Sequence, residues 1–212
     1  MGLDKNHCFS RRELRRQDRR ESILAVAAES FLDSGYAGTT MSGIAATLGG
    51  SKGTLWSYFS SKEELFASVI ERATADYRAL LSEILEAPCD DLALTLKRVC
   101  ASILEKVTGP QSIALHRLVV AEAGRFPEMG VIFYDRGPRM THTLLAKFLA
   151  DEMARGRIRN DDPLQTARIL ASMCVYRTQQ QLLWGVIDHT TPEAMEADVD
   201  RAVDLFMRAY AL

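Results

Sequence analysis

The segment Lys52-Gly53-Thr54-Leu55-Trp56-Ser57-Tyr58 carries an amine, hydroxyl groups, an indole N–H and one position without a side chain. These are the groups that bind phosphate oxygens and base edges of nucleic acid. Leu55 and Phe59, at i and i+4, turn the other way on a helix expected over residues 52–59. On the outward face Lys52 could donate to guanine O6 or N7, the Thr54 methyl could pack on a thymine methyl, Gly53 would let the backbone come close, and Trp56 could lie against the sugar-phosphate wall. Lys62 stands in the first turn of the next helix, where the helix dipole disfavours a cation. A phosphate at that N-terminus, drawn both to the free N–H groups and to the ammonium, would reverse the penalty.

Three short helices must hold this face. Ile44, Ala45 and Leu48 give one apolar stripe, and Gly49-Gly50 ends it with residues able to take positive φ. Ser51 is placed to cap the helix that follows. Ser61 and Glu64 form the capping box of a longer helix that runs through Leu65, Phe66, Val69 and Ile70. Upstream, Ile23, Ala27 and Phe31, with Leu24, Ala28 and Leu32 beside them, make another apolar face that stops at Gly35; Asp18 or Glu21 could cap its start. Phe31, Ile44, Leu48, Leu55 and Phe59 would be the shared core of a helix-turn-helix.

Residues 19–66 closely resemble the N-terminal DNA-binding domain of the TetR family of bacterial transcriptional regulators. The resemblance is carried by Phe31, Gly35, Tyr36, Thr39, Thr40, Ile44, Ala45, Ser51, Lys52, Gly53, Leu55, Tyr58, Phe59, Lys62, Glu63, Glu64 and Leu65. It implies an all-α homodimeric repressor with three N-terminal helices that read double-stranded operator DNA, and a larger helical domain that binds a small effector and forms the dimer. Together with the outward face of the recognition helix, the expected DNA-binding set is Tyr36, Thr39, Thr40, Ser51, Lys52, Gly53, Thr54, Trp56, Tyr58 and Lys62, of which Thr40, Tyr58 and Lys62 match family positions that hold the phosphate backbone. Gly50 stands where the family has an apolar residue. A glycine there cannot form the hydrophobic staple with Leu55, which predicts a recognition helix that is looser before DNA is bound. The segment AEAGRFPEMGVIFYDRGPRM resembles, more weakly, the C-terminal domain of the branch typified by efflux and quorum-sensing regulators.

Charge agrees with this division. Residues 1–62 hold nine Lys/Arg against six Asp/Glu, while the whole 212-residue chain has a net charge of -2, so the basic end is the helix-turn-helix end. Arg11, Arg12, Arg15, Arg16, Arg19 and Arg20 precede the expected first helix. Residues 1–18 read as a flexible basic arm, either reaching along phosphates or simply solvated. Cys8, Cys89, Cys100 and Cys174 are scattered without metal-ligand spacing, which predicts buried reduced thiols and neither a zinc site nor a disulfide framework. No signal-peptide pattern or long apolar run occurs, so a cytoplasmic protein without a membrane span is expected.

Residues 67–212 read as helices punctuated by Pro and Gly: about 62–86, 91–107, 111–124, 127–136, 138–155, 162–187 and 191–211, for about nine or ten helices in all. Asp162-Pro163 and Thr191-Pro192 place a capping side chain before a first-turn Pro. The last two helices are apolar on more than one face, from Leu164 through Ile169, Leu182 and Trp184 to Met195, Leu205 and Phe206, and the surplus suggests a homodimer interface. Isolated polar groups on apolar faces nominate an effector site of His116, Glu122, Tyr134, His142, Tyr176, Arg177, Gln180 and Trp184, for an apolar or aromatic ligand; singly, each is better explained as a satisfied core or surface residue. No catalytic constellation, metal site or cofactor motif is present in the sequence, so an enzyme is not expected. A sequence-tolerant architectural DNA binder is the nearest alternative, against which the large acidic C-terminal portion argues.

Overall fold

A computed structural model of the chain describes residues 11–49, 52–87 and 89–212, and of Lys52 the backbone alone. Gly50, Ser51, Cys8 and the first ten residues, to which several of the expectations above refer, lie outside the described residues. Among the described residues there are eleven α-helices and no strand: α1 (Arg11–Gly38), α2 (Met41–Thr47), α3 (Lys52–Trp56), α4 (Lys62–Glu86), α5 (Leu92–Thr108), α6 (Pro110–Glu122), α7 (Pro127–Arg136), α8 (Pro138–Ala154), α9 (Pro163–Val175), α10 (Thr178–Trp184) and α11 (Pro192–Tyr210). The chain divides into two compact units, one ending at Val69 and the other beginning at Ile70. The expected boundary was three residues earlier.

In the first unit the apolar stripe of α1 buries Ile23, Leu24, Ala27 and Phe31 against Ile44 and Ala45 of α2, Leu55 and Phe59 around α3, and Leu65 and Phe66 of α4. Phe31, Tyr36 and Phe66 form an aromatic triad with ring centroids 5.1 to 5.7 Å apart. Edge and offset contacts of this kind add about 0.5–1.5 kcal/mol per pair beyond burial. Gly35 breaks the regular course of α1 with φ 74, and Gly49 turns the chain after α2 with φ 62, both in the left-handed region that favours glycine.

Two expectations for this unit need correction. Residues 11–18 continue α1 instead of forming an arm: Arg16 lies over the Tyr58 ring, Arg20 lies over the Phe59 ring and donates to the Ser68 hydroxyl at 3.3 Å, and Arg19 donates to the Leu48 carbonyl at 3.5 Å. The recognition helix is also shorter than residues 52–59, because α3 ends at Trp56. There the Ser57 hydroxyl donates to the Thr54 carbonyl at 2.7 Å and competes with the helical ladder.

The second unit packs α5, α8, α9 and α11, with Leu81 and Ile84 of α4, around a core that includes Leu96, Val99, Leu104, Leu145, Leu149, Leu170, Val203 and Phe206. The two caps read from the sequence form as expected, with Asp162 accepting from Leu164 and Gln165 at 2.8 and 3.0 Å and Thr191 from Ala194 at 3.3 Å; Asp91 caps α5 in the same way, accepting from the Leu94 N–H at 3.0 Å. The helix expected over 162–187 is two helices. Buried Asp198 of α11 accepts from Arg177 Nε at 2.6 Å and from the Thr178 hydroxyl, and these bonds restart the chain as α10. Cys100 and Cys174 are buried free thiols, as expected, whereas Cys89 is half-buried. No described helix is long and apolar enough to cross a membrane, and no group of potential metal ligands gathers among the described residues.

Candidate nucleic-acid interface

The first unit gathers a polar surface from four places. Thr40 is the exposed N-cap of α2, and its hydroxyl accepts from the Gly43 N–H at 3.0 Å while keeping its own proton free to donate. On α3, Gly53 and Trp56 are exposed and Thr54 is half-buried, while Leu55 is buried beneath them. In the turn after α3, Tyr58 is half-buried under the Arg16 guanidinium, 5.8 Å from its ring centroid. Lys62 opens α4, and its ammonium donates to the Tyr36 carbonyl at 2.8 Å and lies 4.1 Å from the Tyr36 ring centroid.

The α4 start is fixed by hydroxyl and carboxylate groups. The Ser61 hydroxyl accepts from the Glu64 N–H at 3.1 Å, and the Glu64 carboxylate accepts from the N–H and hydroxyl of Ser60 at 2.7 and 2.6 Å. The box therefore closes one residue earlier than the sequence pattern implies. The Ser60 bonds hold the Glu64 carboxyl below its ordinary range; backbone and Ser61 bonds do the same for Glu63.

Tyr36 and Thr39 are corrected from DNA-contacting side chains to internal ones. Tyr36 is fully buried, with its hydroxyl donating to Glu63 at 3.4 Å. Buried Thr39 donates from its hydroxyl to the Ser30 and Gly35 carbonyls at 2.8 and 2.7 Å. Both seat the α1–α2 junction on which Thr40 stands. Ser51 and the side chain of Lys52 lie outside the described residues.

The eight residues nominated for an effector are not one cluster. Trp184 is 72% exposed, Tyr176 48% exposed, and Gln180 is exposed, so they cannot enclose a ligand within one protomer. Arg177 is committed to Asp198. Glu122 is half-buried at the end of α6. His116 packs its ring on Phe133, centroids 5.6 Å apart, and burial lowers its pKa. Tyr134 and His142 share a neighbour the sequence did not single out, Arg168, which donates to the Tyr134 hydroxyl at 3.2 Å and whose charge, after burial, helps lower the His142 pKa. A cleft of about 490 Å³ opens elsewhere in this unit, beside Leu85, Cys89, Phe148, Glu152 and Arg157, and none of the eight lines it. Its fully buried Glu152 carboxylate is paired with Arg155 at 2.9 Å and with Arg157, which also donates to the Asp90 carbonyl at 3.3 Å.

Part of the apolar surplus in the last helices fills the protomer's own core: Leu170, Leu182, Val199 and Phe206 are buried. Ile169, Tyr176, Trp184, Val186 and Leu205 remain exposed.

A short helix behind a glycine turn, with Gly53 and Trp56 exposed on its outer face and Thr40, Tyr58 and Lys62 around it, defines a helix-turn-helix DNA-binding regulator. Residues 23–69 match the family model of bacterial regulatory proteins of the tetR family, and residues 94–212 match that of the AefR-like transcriptional repressor C-terminal domain. The chain belongs to the TetR family of transcriptional regulators, whose members bind DNA and dimerise. It is 28% identical over 159 residues to the uncharacterized HTH-type transcriptional regulator YhgD of Bacillus subtilis, covering 74% of this chain and 81% of that protein. A 59-residue stretch, 28% of this chain and 27% of the relative, is 44% identical to the transcriptional activator FasR of Mycolicibacterium smegmatis. Among solved structures, the flavonoid-responsive regulator FrrA is 29% identical and superimposes with a TM-score of 0.79, over 92% of this chain and 98% of that one.

Proposed function

We propose that the protein is a repressor that occupies a palindromic operator as a dimer and releases it when a small aromatic effector binds the second unit. The observation that carries the reading is the course of α4. It starts at Lys62, anchored to Tyr36, and continues unbroken to Glu86, while Glu71 on its path pairs with Arg136 at the end of α7. A shift of α7 would thus move α4, and with it the separation of two recognition helices that must meet major grooves about 34 Å apart. Thr40, Tyr58 and Lys62 would hold phosphates; Lys52, Gly53 and Thr54 would read bases, with Ser51 capping their helix and Trp56 along the sugar-phosphate wall. The dimer would form through α9–α10 and α11, where Ile169, Trp184 and Leu205 stay exposed in the protomer. The match to a repressor C-terminal domain supports the sign of regulation, and the flavonoid response of FrrA supports an aromatic effector.

Gel shifts on DNA flanking the gene, with a library of aromatic compounds added, test the reading: specific retardation relieved by a compound is expected, and retardation equal to that of random DNA would refute it. FasR, similar over a 59-residue stretch, is an activator, so transcription in vitro decides the sign; reduced transcript on addition of the protein is the expected result.

A further inference from the structure

Among the arginines of the second unit, Arg117 donates to the backbone carbonyls of Leu182 and Leu183, which end a helix, whereas Arg168 donates only to neutral side chains. Arg136, Arg155, Arg157, Arg177 and Arg208 each meet a carboxylate. Half-buried Arg168, on α9, instead donates to two neutral acceptors, the Tyr134 hydroxyl at 3.2 Å and the Gln165 side-chain oxygen at 3.5 Å. A guanidinium that has lost part of its hydration to a phenol and an amide keeps a charge that an anion would satisfy better. On α8, His142 carries a buried Nδ1 without a hydrogen-bond partner among the described residues, and buried polar atoms of this kind are nearly always satisfied. Burial and the nearby Arg168 charge lower the His142 pKa, which leaves the ring neutral at neutral pH, with Nδ1 able to carry the proton. The Tyr134 oxygen accepts from Arg168, so its own O–H is free to donate outward. Tyr134 is 40% exposed, and Val131, one turn earlier on α7, is 59% exposed. Together they set an apolar ring-sized surface beside three donors.

We propose that Arg168, Tyr134 and His142 form the polar end of a binding site for an aromatic acid, a small molecule whose ring bears a carboxylate or phenolate. The guanidinium fork takes the anionic oxygen, the Tyr134 hydroxyl and His142 Nδ1 donate to its remaining lone pairs, and the ring lies along Tyr134 and Val131. The cleft beside Glu152 offers no such chemistry, since its two guanidiniums, Arg155 and Arg157, share it with the carboxylates of Glu86, Asp90, Asp151 and Glu152. This inference rests on the effector reading above and deepens it by naming the ligand class.

Calorimetric titration of the full chain with 4-hydroxybenzoate, cinnamate and 2-naphthoate, each against its primary amide, and with sulfate, tests it. At least one acid is expected to bind tenfold or more tightly than its amide. Arg168→Gln should abolish that preference, Arg168→Lys should keep part of it, and Tyr134→Phe should weaken the acid several-fold. Circular dichroism melts check the fold of each variant, and if Arg168→Gln does not fold, Arg168→Lys and Tyr134→Phe decide. Equal binding of acid and amide, a preference that survives loss of the guanidinium, failure of every acid to bind, or sulfate binding as tightly as the acids would each overturn the assignment. Gel shifts separate the two readings. An acid held by Arg168 that leaves DNA affinity unchanged keeps this site and removes the effector role. A neutral aromatic compound that releases DNA, with no acid bound at Arg168, keeps the effector role and removes this site.

Discussion

The Lys62 ammonium donates to the Tyr36 carbonyl at 2.8 Å and rests 4.1 Å from the centroid of that tyrosine's ring. The penalty of a cation at a helix N-terminus is thereby offset inside the protein by a carbonyl dipole and a π face, before any phosphate arrives. This arrangement holds the ammonium at the start of α4, where a phosphate is expected. Lys62→Ala should therefore do two things: weaken binding to operator and random DNA alike, with the salt dependence flattened by about one contact per subunit, and lower stability by about 1–2 kcal/mol. Tyr36→Phe removes a hydroxyl that faces Glu63 and should leave DNA binding nearly unchanged. Anisotropy titrations across salt, alongside urea melts, read both effects; a selective loss on the operator would remove Lys62 from the phosphate set.

Thr40 combines a cap with an exposed donor, and substitutions can separate the two. Thr40→Ala should cost about 0.5–2 kcal/mol of stability and also weaken DNA binding. Thr40→Asp keeps the bond from Gly43 but sets a negative charge where a phosphate is expected. It should melt like the wild type and bind DNA far more weakly, and DNA affinity close to that of the wild type in Thr40→Asp would show that no phosphate approaches this position.

Arg136 closes α7 on α4 through its ion pair with Glu71, and the Thr74 hydroxyl donates to the Arg136 carbonyl at 3.4 Å. Both charged side chains are about half exposed, so Glu71→Gln should change stability by less than about 1 kcal/mol. Its larger effect is expected on coupling: DNA affinity without effector stays within about twofold, while the effector-induced loss, ordinarily worth about 1–3 kcal/mol, shrinks. Anisotropy titrations with and without effector measure this difference. An undiminished response in Glu71→Gln would mean that the signal does not pass through this pair.

Burial lowers the pKa of both His116 and His142 from the ordinary 6.5. The unfolded chain then binds these protons more readily than the folded one, so their contribution to stability is present above pH 6.5 and is lost as pH falls through the lowered values. Melting temperature should drop between roughly pH 7.5 and pH 5.5, and the double variant His116→Gln, His142→Gln should show a smaller drop. An equal slope in the variant would place the acid sensitivity elsewhere.

Much of this fold was legible because its helix ends are local. Asp162 and Thr191 cap the turns that follow them, and Pro127, Pro138, Pro163 and Pro192 stand at first helical positions, where a missing N–H costs nothing. The α9–α10 break was not legible because its cause, Asp198, lies twenty residues further on and acts through space. The helical state of residues 11–18 was hidden by composition, since an arginine-rich polar stretch reads as a solvated tail until Arg16, Arg19 and Arg20 are seen against Tyr58, Leu48 and Phe59. In the candidate site, position along the motif nominated Tyr36 and Thr39, but only burial shows that they support the surface from beneath. Arg168 carried no sequence signal at all, because its meaning comes from the neutral partners it happens to face.

Selection of bound sequences from randomised duplex DNA, run with the wild type and with a folded Thr54→Ala variant, is the most direct test of DNA reading by a dimer. The wild type should select two inverted half-sites with centres about 10 base pairs apart or a multiple of that spacing. Thr54→Ala should alter one base preference, by about 1–3 kcal/mol, at the same position in both halves. A single or asymmetric site, or an unchanged preference profile in Thr54→Ala, would contradict reading by α3 in a symmetric dimer.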